Sequence, residues 1–215
     1  MKSLILKDLY NIGHNIKSML FMFAVFACIF ISSSNIEGYI FSCAILCSMM
    51  VVTTFAFDDN SKWVRHALIM PVSKKDLVAG KFFILAIFCG AGSLLGLTVA
   101  SVSGLIMKKF TFGPADISSL LILTLAAFVA ALIFGSLSIP LVFKFGTEKG
   151  RMLLLISFMI PAAICFGIYQ LLVFLGVVFT DRLVFMLLCF SPFIALAWCY
   201  VMYRISYGIF AKQEC

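Results

Sequence analysis

Three short stretches carry residue types that could do chemistry. GTEKGR, Gly146 to Arg151, has the glycines and lysine of a phosphate-binding turn. Ser93, within GAGSLLG, sits among small residues as a nucleophile on a tight turn would. Cys43 and Cys47 lie four apart on one helix face and could offer two thiolates to a metal. Each lacks its complement. A loop that cradles the phosphates of ATP ends in Gly-Lys-Ser or Gly-Lys-Thr after a strand, and Gly146 to Arg151 has neither that spacing nor the strand. A serine nucleophile needs a base to activate it, and a thiolate pair needs further His, Cys or carboxylate ligands. No ionisable Asp, Glu, Lys, Arg or His lies within the apolar runs that hold these residues, and His14 and His66 fall in amphipathic segments outside them. No catalytic, cofactor-binding or metal residue is therefore expected on this chain, nor an intramembrane hydrolase or an ion pump, which need ionisable groups at membrane depth.

The chemistry left is that of docking. FDDNSKWVRHALIMPVSKKDLVAGKFF, Phe57 to Phe83, interrupts the grease with charge, a Trp and a Pro. Asp58, Asp59, Asn60 and Ser61 are good N-cap residues and suit the positive end of a helix dipole, so a short helix is expected to begin there. Trp63, Ala67 and Met70 recur at four and three, with Lys62, Arg65 and His66 on other faces. Pro71 disfavours helix in the residue before it. Ser73 and Asp76 then fit the S-x-x-D capping pattern, from which a new helix runs through Lys81 into the following apolar segment. A short helix, a corner and a rigid lever suit passing force to a membrane helix. The same residues also suit an interfacial loop anchored by Trp63.

The elements that must position this segment follow from composition. The chain is 64% hydrophobic and 12% charged, with a mean hydropathy of +1.17, outside the range of soluble domains. Uncharged runs fall at 18 to 36, 38 to 57, 82 to 107, 117 to 143, 152 to 180 and 183 to 203. Crossing roughly 30 Å of hydrocarbon takes about 20 helical residues. The expected architecture is one all-α integral membrane domain over residues 1–215. It has six transmembrane helices at 18–34, 39–57, 81–107, 117–143, 152–179 and 183–203, an N-terminal amphipathic interfacial helix at 1–17, and a cytoplasmic segment at 58–80. No residues are left for a separate soluble domain.

With the N-terminus inside, thirteen of the sixteen Lys and Arg fall on the cytoplasmic side; Lys108, Lys109 and Arg182 alone fall outside. This positive-inside bias places both termini in the cytoplasm and explains the net charge of +7 without a nucleic-acid partner. The seventeen residues before the first run, with Asp8 among them, do not read as a cleaved leader. Ile5, Leu9, Ile12, Ile16 and Leu20 form one apolar stripe, suited to a helix lying in the inner leaflet with its lysines near anionic headgroups. Seven of the eight cysteines fall in apolar runs, where they serve as small packing residues.

Small residues mark close approaches between helices. Gly92, Gly96, Ala100 and Gly104 recur every four residues on the third span, and Ala127, Ala131 and Gly135 on the fourth. Such stripes let backbones approach in lipid, so these two spans are expected to pack through those faces. Thr98, Ser101, Tyr169 and Gln170 are the polar groups that could line a cavity.

Two segments carry a resemblance that spans essentially the whole chain. WVRHALIMPVSKKDLVAGKF, with Met70, Pro71, Ser73, Lys74, Val78 and Lys81, and IPLVFKFGTEKGR, with Pro140, Lys144, Phe145, Gly146 and Lys149, resemble the permease subunits of type-2 ATP-binding-cassette transporters. Small bacterial permeases that export phenol-soluble modulin peptides are similar. The resemblance implies a coupling helix between spans two and three, in which Trp63, Arg65, His66, Leu68, Met70 and Pro71 meet a separate ATPase that holds ATP and Mg. It implies a second cytoplasmic loop carrying Lys144, Gly146, Glu148, Lys149 and Arg151. It also implies a connecting helix in the stripe from Ile5 to Leu20, and a second permease copy, identical or related, to complete the path. The chain departs from larger members in its short external loops. The residue types along the path fit an amphipathic cargo, peptide or lipid, exported across a bacterial cytoplasmic membrane. A membrane-anchored immunity or sensor protein, and a channel or carrier of neutral solutes, are the competing readings.

Overall fold

The computed structural model describes residues 2–13, 16–32, 36–63, 73–106, 114–174 and 181–212. Among these, six helices account for nearly every residue and no strand forms: α1 (Lys2–Gly13), α2 (Ile16–Ser32), α3 (Ile36–Asn60), α4 (Lys74–Ile106), α5 (Pro114–Phe174) and α6 (Asp181–Lys212). The fold is all-α.

Local chemistry sets several of these boundaries. α1 is described to Gly13 and α2 from Ile16, so the described part of the stripe expected from Ile5 to Leu20 falls on two helices. Ile12 is buried, whereas Ile16 and Leu20 stand exposed on α2, whose axis is bent 64° from that of α1. α4 opens as expected, with the hydroxyl of Ser73 accepting the Asp76 backbone N–H at 3.1 Å. α5 opens on Pro114, at a first position where its missing N–H loses nothing. It then runs 61 residues with one interruption at Gly146 (φ 79, ψ 172). That positive φ is open to glycine and strained for residues bearing a Cβ. The stretch expected to form the second cytoplasmic loop is thus a single-residue corner between two helical arms. α6 ends on Lys212, a cation at the negative end of the helix dipole.

Four helices are long and apolar enough to cross a bilayer among the described residues: those covering Glu37–Asn60, Lys74–Leu105, Ile117–Thr147 and Met186–Lys212. The bent pair of α1 and α2 adds a fifth where the two are counted as one span. The expected span at 152–179 coincides with the second arm of α5, helical to Phe174. Exposed Phe21, Ile29, Leu94, Val102 and Phe193 give the bundle an outer surface that suits hydrocarbon and not water.

α3 is the axis of the core. Ile40, Cys43, Ala44 and Val51 are wholly buried on it, together with Ile84, Leu85 and Cys89 of α4 and Ile139 of α5. A Cβ built on Gly92 would come within 2.6 Å of Cys47 Cβ and 2.9 Å of the Cys43 carbonyl oxygen. One on Gly96 would come within 3.1 Å of the Ile40 Cα. The glycine stripe of the third span therefore lies against the second, and the expected pairing with the fourth is corrected. A helix that fills the centre must be approached closely by its neighbour, and glycine on α4 permits this. The fourth span makes its own close approach at Gly135, against Leu85 and Ser48. Ala100, Ala127 and Ala131 are fully buried, and Gly104 is buried. Several hydroxyls in the spans donate within their own helices: Ser48 to the Ile45 carbonyl at 2.7 Å and Thr54 to that of Val51 at 2.7 Å.

Candidate functional site

Where α1, the end of α3 and the start of α4 converge, four charged side chains close on one another. The Lys81 ammonium donates to Asp8 at 2.8 Å, to Asp58 at 2.6 Å and to the Thr54 hydroxyl at 3.1 Å. The Lys7 ammonium pairs with the other oxygen of Asp58 and stands 3.2 Å from that of Asp8. Asp8, Asp58 and Lys81 are 3%, 5% and 8% exposed. Two cations and two anions cancel, and this is what permits their burial: each ion removed from water needs a partner to offset several kcal/mol of lost hydration.

Apolar surface seals the cluster. Lys81 lies 4.8 Å from the centre of the Phe55 ring, and Lys7 lies 4.5 Å from that of Trp63. Phe55 meets Phe143 edge-on at 5.0 Å, and Phe143 meets Phe210 at 5.1 Å, carrying the contact from α3 through α5 to α6. The Lys74 ammonium stands 5.7 Å from the Phe210 ring.

This geometry corrects the reading of Asp58 to Ser61 as the caps of a new helix. Asp58, Asp59 and Asn60 form the last turn of α3, and the chain then turns at Ser61 and Lys62, where Lys62 adopts φ 50. Acidic groups are disfavoured at a helix C-terminus, and Lys7 and Lys81 offset that at Asp58. Residues 74 to 80 belong to α4, so the helix that opens at the Ser73 cap runs unbroken through Lys81, as expected.

Trp63 is half-buried, its ring under Lys7 at the base of the bundle. It stands at the start of the segment expected to dock a partner. Arg65, His66, Leu68, Met70 and Pro71 lie outside the described residues. A cavity of about 280 Å³ opens beside the cluster, lined by Asp58, Asp59, Trp63, Lys81, Lys144 and Gly146 among others. Lys144 and Gly146 of the second corner are thereby brought to Trp63 of the first segment, across more than eighty residues of chain. Lys149 is exposed near them in sequence, while the side chains of Glu148 and Arg151 lie outside the description. Thr98 and Ser101 are not gathered here: they donate to the carbonyls of Leu95 and Thr98 on their own helix at 2.9 and 2.8 Å. Gln170 is exposed on the second arm of α5, and the side chain of Tyr169 is not described.

Spacing along the chain did not single out Lys7, Asp8 or Thr54 as site residues, and it marked Asp58 as a cap and Lys81 as part of a motif, not as partners in one cluster. The available signal was a charge of alternating sign at the edge of each of three apolar segments. A lysine that sets topology and one that closes a buried cluster look alike in sequence.

An all-α bundle with several membrane-crossing helices and its described ionised side chains gathered at the helix ends defines a multi-pass membrane protein with a locked base. A family model described as ABC-2 family transporter protein matches residues 3–211, and the chain belongs to that family. It is a membrane permease of an ABC transporter, a class that works with an ATPase partner and is not itself normally catalytic. No curated protein matches the chain.

Proposed function

We propose that this permease pairs with a second permease copy and a separate ATPase subunit to export an amphipathic or hydrophobic cargo, most simply a peptide, across a bacterial cytoplasmic membrane. Both termini and the charge-locked base face the cytoplasm in this reading, as the one-sided distribution of Lys and Arg supports. Residues 63–73, with Arg65, His66, Leu68 and Met70, form the contact with the ATPase. ATP and Mg are held on that partner.

One observation carries the reading. The cluster of Lys7, Asp8, Asp58 and Lys81 fastens α1, α3 and α4 together directly beside Trp63. A push on the docking segment therefore meets a rigid junction of three helices. A loop present only to carry topogenic charge needs no such junction. Lys144 and Gly146, on the same cavity as Trp63, offer a second point of contact to the same partner.

The test is co-purification of the tagged chain from its host in mild detergent, wild type against Trp63→Ala combined with Arg65→Glu. An ATPase chain recovered with the wild type and lost with the variant supports the proposal. Failure to recover one under gentle conditions sinks it. Cargo chemistry is tested separately, by accumulation of amphipathic peptides inside cells that lack the permease.

A further inference from the structure

A second cavity, of about 410 Å³, lies on the flank of the bundle between α4, the first arm of α5 and α6. Phe82, Phe83, Phe128, Leu196, Tyr200 and Tyr203 line it, and its wall is almost wholly apolar. Phe82 and Tyr203 meet edge-on at 5.9 Å at one end. We propose that this groove holds one acyl chain of an anionic phospholipid, whose phosphate is received by Lys75 and Arg204.

Length, width and charge select that occupant. The groove extends along α6 from Pro192 to Tyr203, about 16 Å of helix axis, or roughly half of a 30 Å hydrocarbon layer. It therefore belongs to one leaflet. A helix of that length and roughly 10 Å across would displace on the order of 1,200 Å³, several times the groove, so a span of a second copy does not fit within it. A single extended chain does.

The leaflet is the one at the basic end. The α4 part of the lining begins at Ala79, one turn after Lys75, and Tyr203 directly precedes Arg204. Lys75 and Arg204 are both exposed, and the Lys75 ammonium stands 5.8 Å from the Tyr207 ring. Tyr200, Tyr203 and Tyr207 share one face of α6 at the level where tyrosines meet headgroups. Basic residues at the mouth of a groove between membrane helices are the recognition chemistry for an anionic headgroup. The proposal rests on membrane residence and not on what the permease transports.

The experiment is native mass spectrometry of the purified full chain in mild detergent, titrated with phosphatidylglycerol and phosphatidylcholine of identical acyl chains. Wild type is expected to retain phosphatidylglycerol at least fivefold over phosphatidylcholine. Lys75→Glu combined with Arg204→Glu, and the milder Arg204→Gln alone, should bring the ratio toward one. Lys212→Glu, two turns beyond the mouth, should leave the ratio unchanged. Ala86→Phe, which fills the groove from its exposed wall, should lower retention of both lipids with no change in melting temperature. Equal retention of the two lipids by wild type overturns the proposal, as does a ratio that Lys212→Glu lowers as much as Arg204→Gln. Retention untouched by Ala86→Phe overturns the acyl seat. If Ala86→Phe instead converts a dimer to a monomer and leaves lipid in place, the groove belongs to a second copy and the proposal is wrong.

Discussion

The ammonium of Lys81 lies 2.8 Å from a carboxylate oxygen of Asp8, 73 residues before it in the chain. Lys81 is on the first turns of α4 and Asp8 on α1, and the same ammonium reaches Asp58 from the last turn of α3 at 2.6 Å. Three elements whose own sequences dictate only helix are thus fixed to one another by charge, in a place where each charge is stable only while the others are present.

Removing one member is therefore expected to cost more than the pair itself contributes. Lys81→Met leaves Asp8 and Asp58 buried with one cation between them and should destabilise the protein by about 3–5 kcal/mol. Combining Lys81→Met with Asp58→Leu should recover a large part of that loss, since neither charge is then stranded. Chemical denaturation of the wild type, the two single variants and the double variant in detergent gives the coupling. Additive losses would show that the cluster is not a unit.

Close packing of α3 on α4 predicts strong intolerance at Gly92. Gly92→Ala would drive a methyl against Cys47 Cβ and the Cys43 carbonyl, and overpacking of this kind costs about 1–3 kcal/mol. Cys47→Gly in the same chain removes the nearest obstacle and should restore part of the melting temperature. By contrast, Gly13→Ala, with nothing within 4 Å of the added group, should be tolerated sterically.

Gly146 predicts a different penalty. A Cβ there meets nothing within 4 Å, so Gly146→Ala is penalised only by its backbone at φ 79, ψ 172, a region essentially confined to glycine, at about 1–3 kcal/mol. Gly146→Asn should be no milder, because asparagine favours the left-handed helical region at ψ of about 47° and not this one. If the corner forms part of the ATPase contact, both variants should reduce stimulated ATP hydrolysis to a similar extent. Full hydrolysis retained by either variant would contradict that expectation.

The Ser73 cap predicts a smaller effect at the other side of the docking segment. Ser73→Ala removes the side-chain acceptor of the Asp76 N–H, leaving it the Ser73 carbonyl at 3.0 Å, and should cost about 0.5–1 kcal/mol, whereas Ser73→Asp retains a side-chain acceptor and should be near neutral. Hydrogen exchange at the first turn of α4 reads the difference directly.

Much of this molecule is legible in one dimension because the bilayer imposes a local rule. Long uncharged runs must be helices wherever lipid leaves the backbone no other partner. The start of α4 at Ser73 and the break at Gly146 likewise follow from single residues with narrow conformational preferences. The error at Asp58 to Ser61 came from the same local logic. Acidic and polar residues before an amphipathic stretch look like caps, and nothing beside them in sequence reveals that two lysines from other helices neutralise Asp58.

By itself, then, the sequence determined membrane residence, an all-helical chain and the approximate place of its helices, since each depends on hydropathy summed over about twenty neighbours. Tertiary structure alone decided which helices meet. It set the glycines of α4 against α3, carried Lys144 and Gly146 to Trp63, and closed Lys7, Asp8, Asp58 and Lys81 into a neutral buried cluster. The physical reason is that charge compensation and close packing act between surfaces, and the chain order holds no record of which surfaces will face each other.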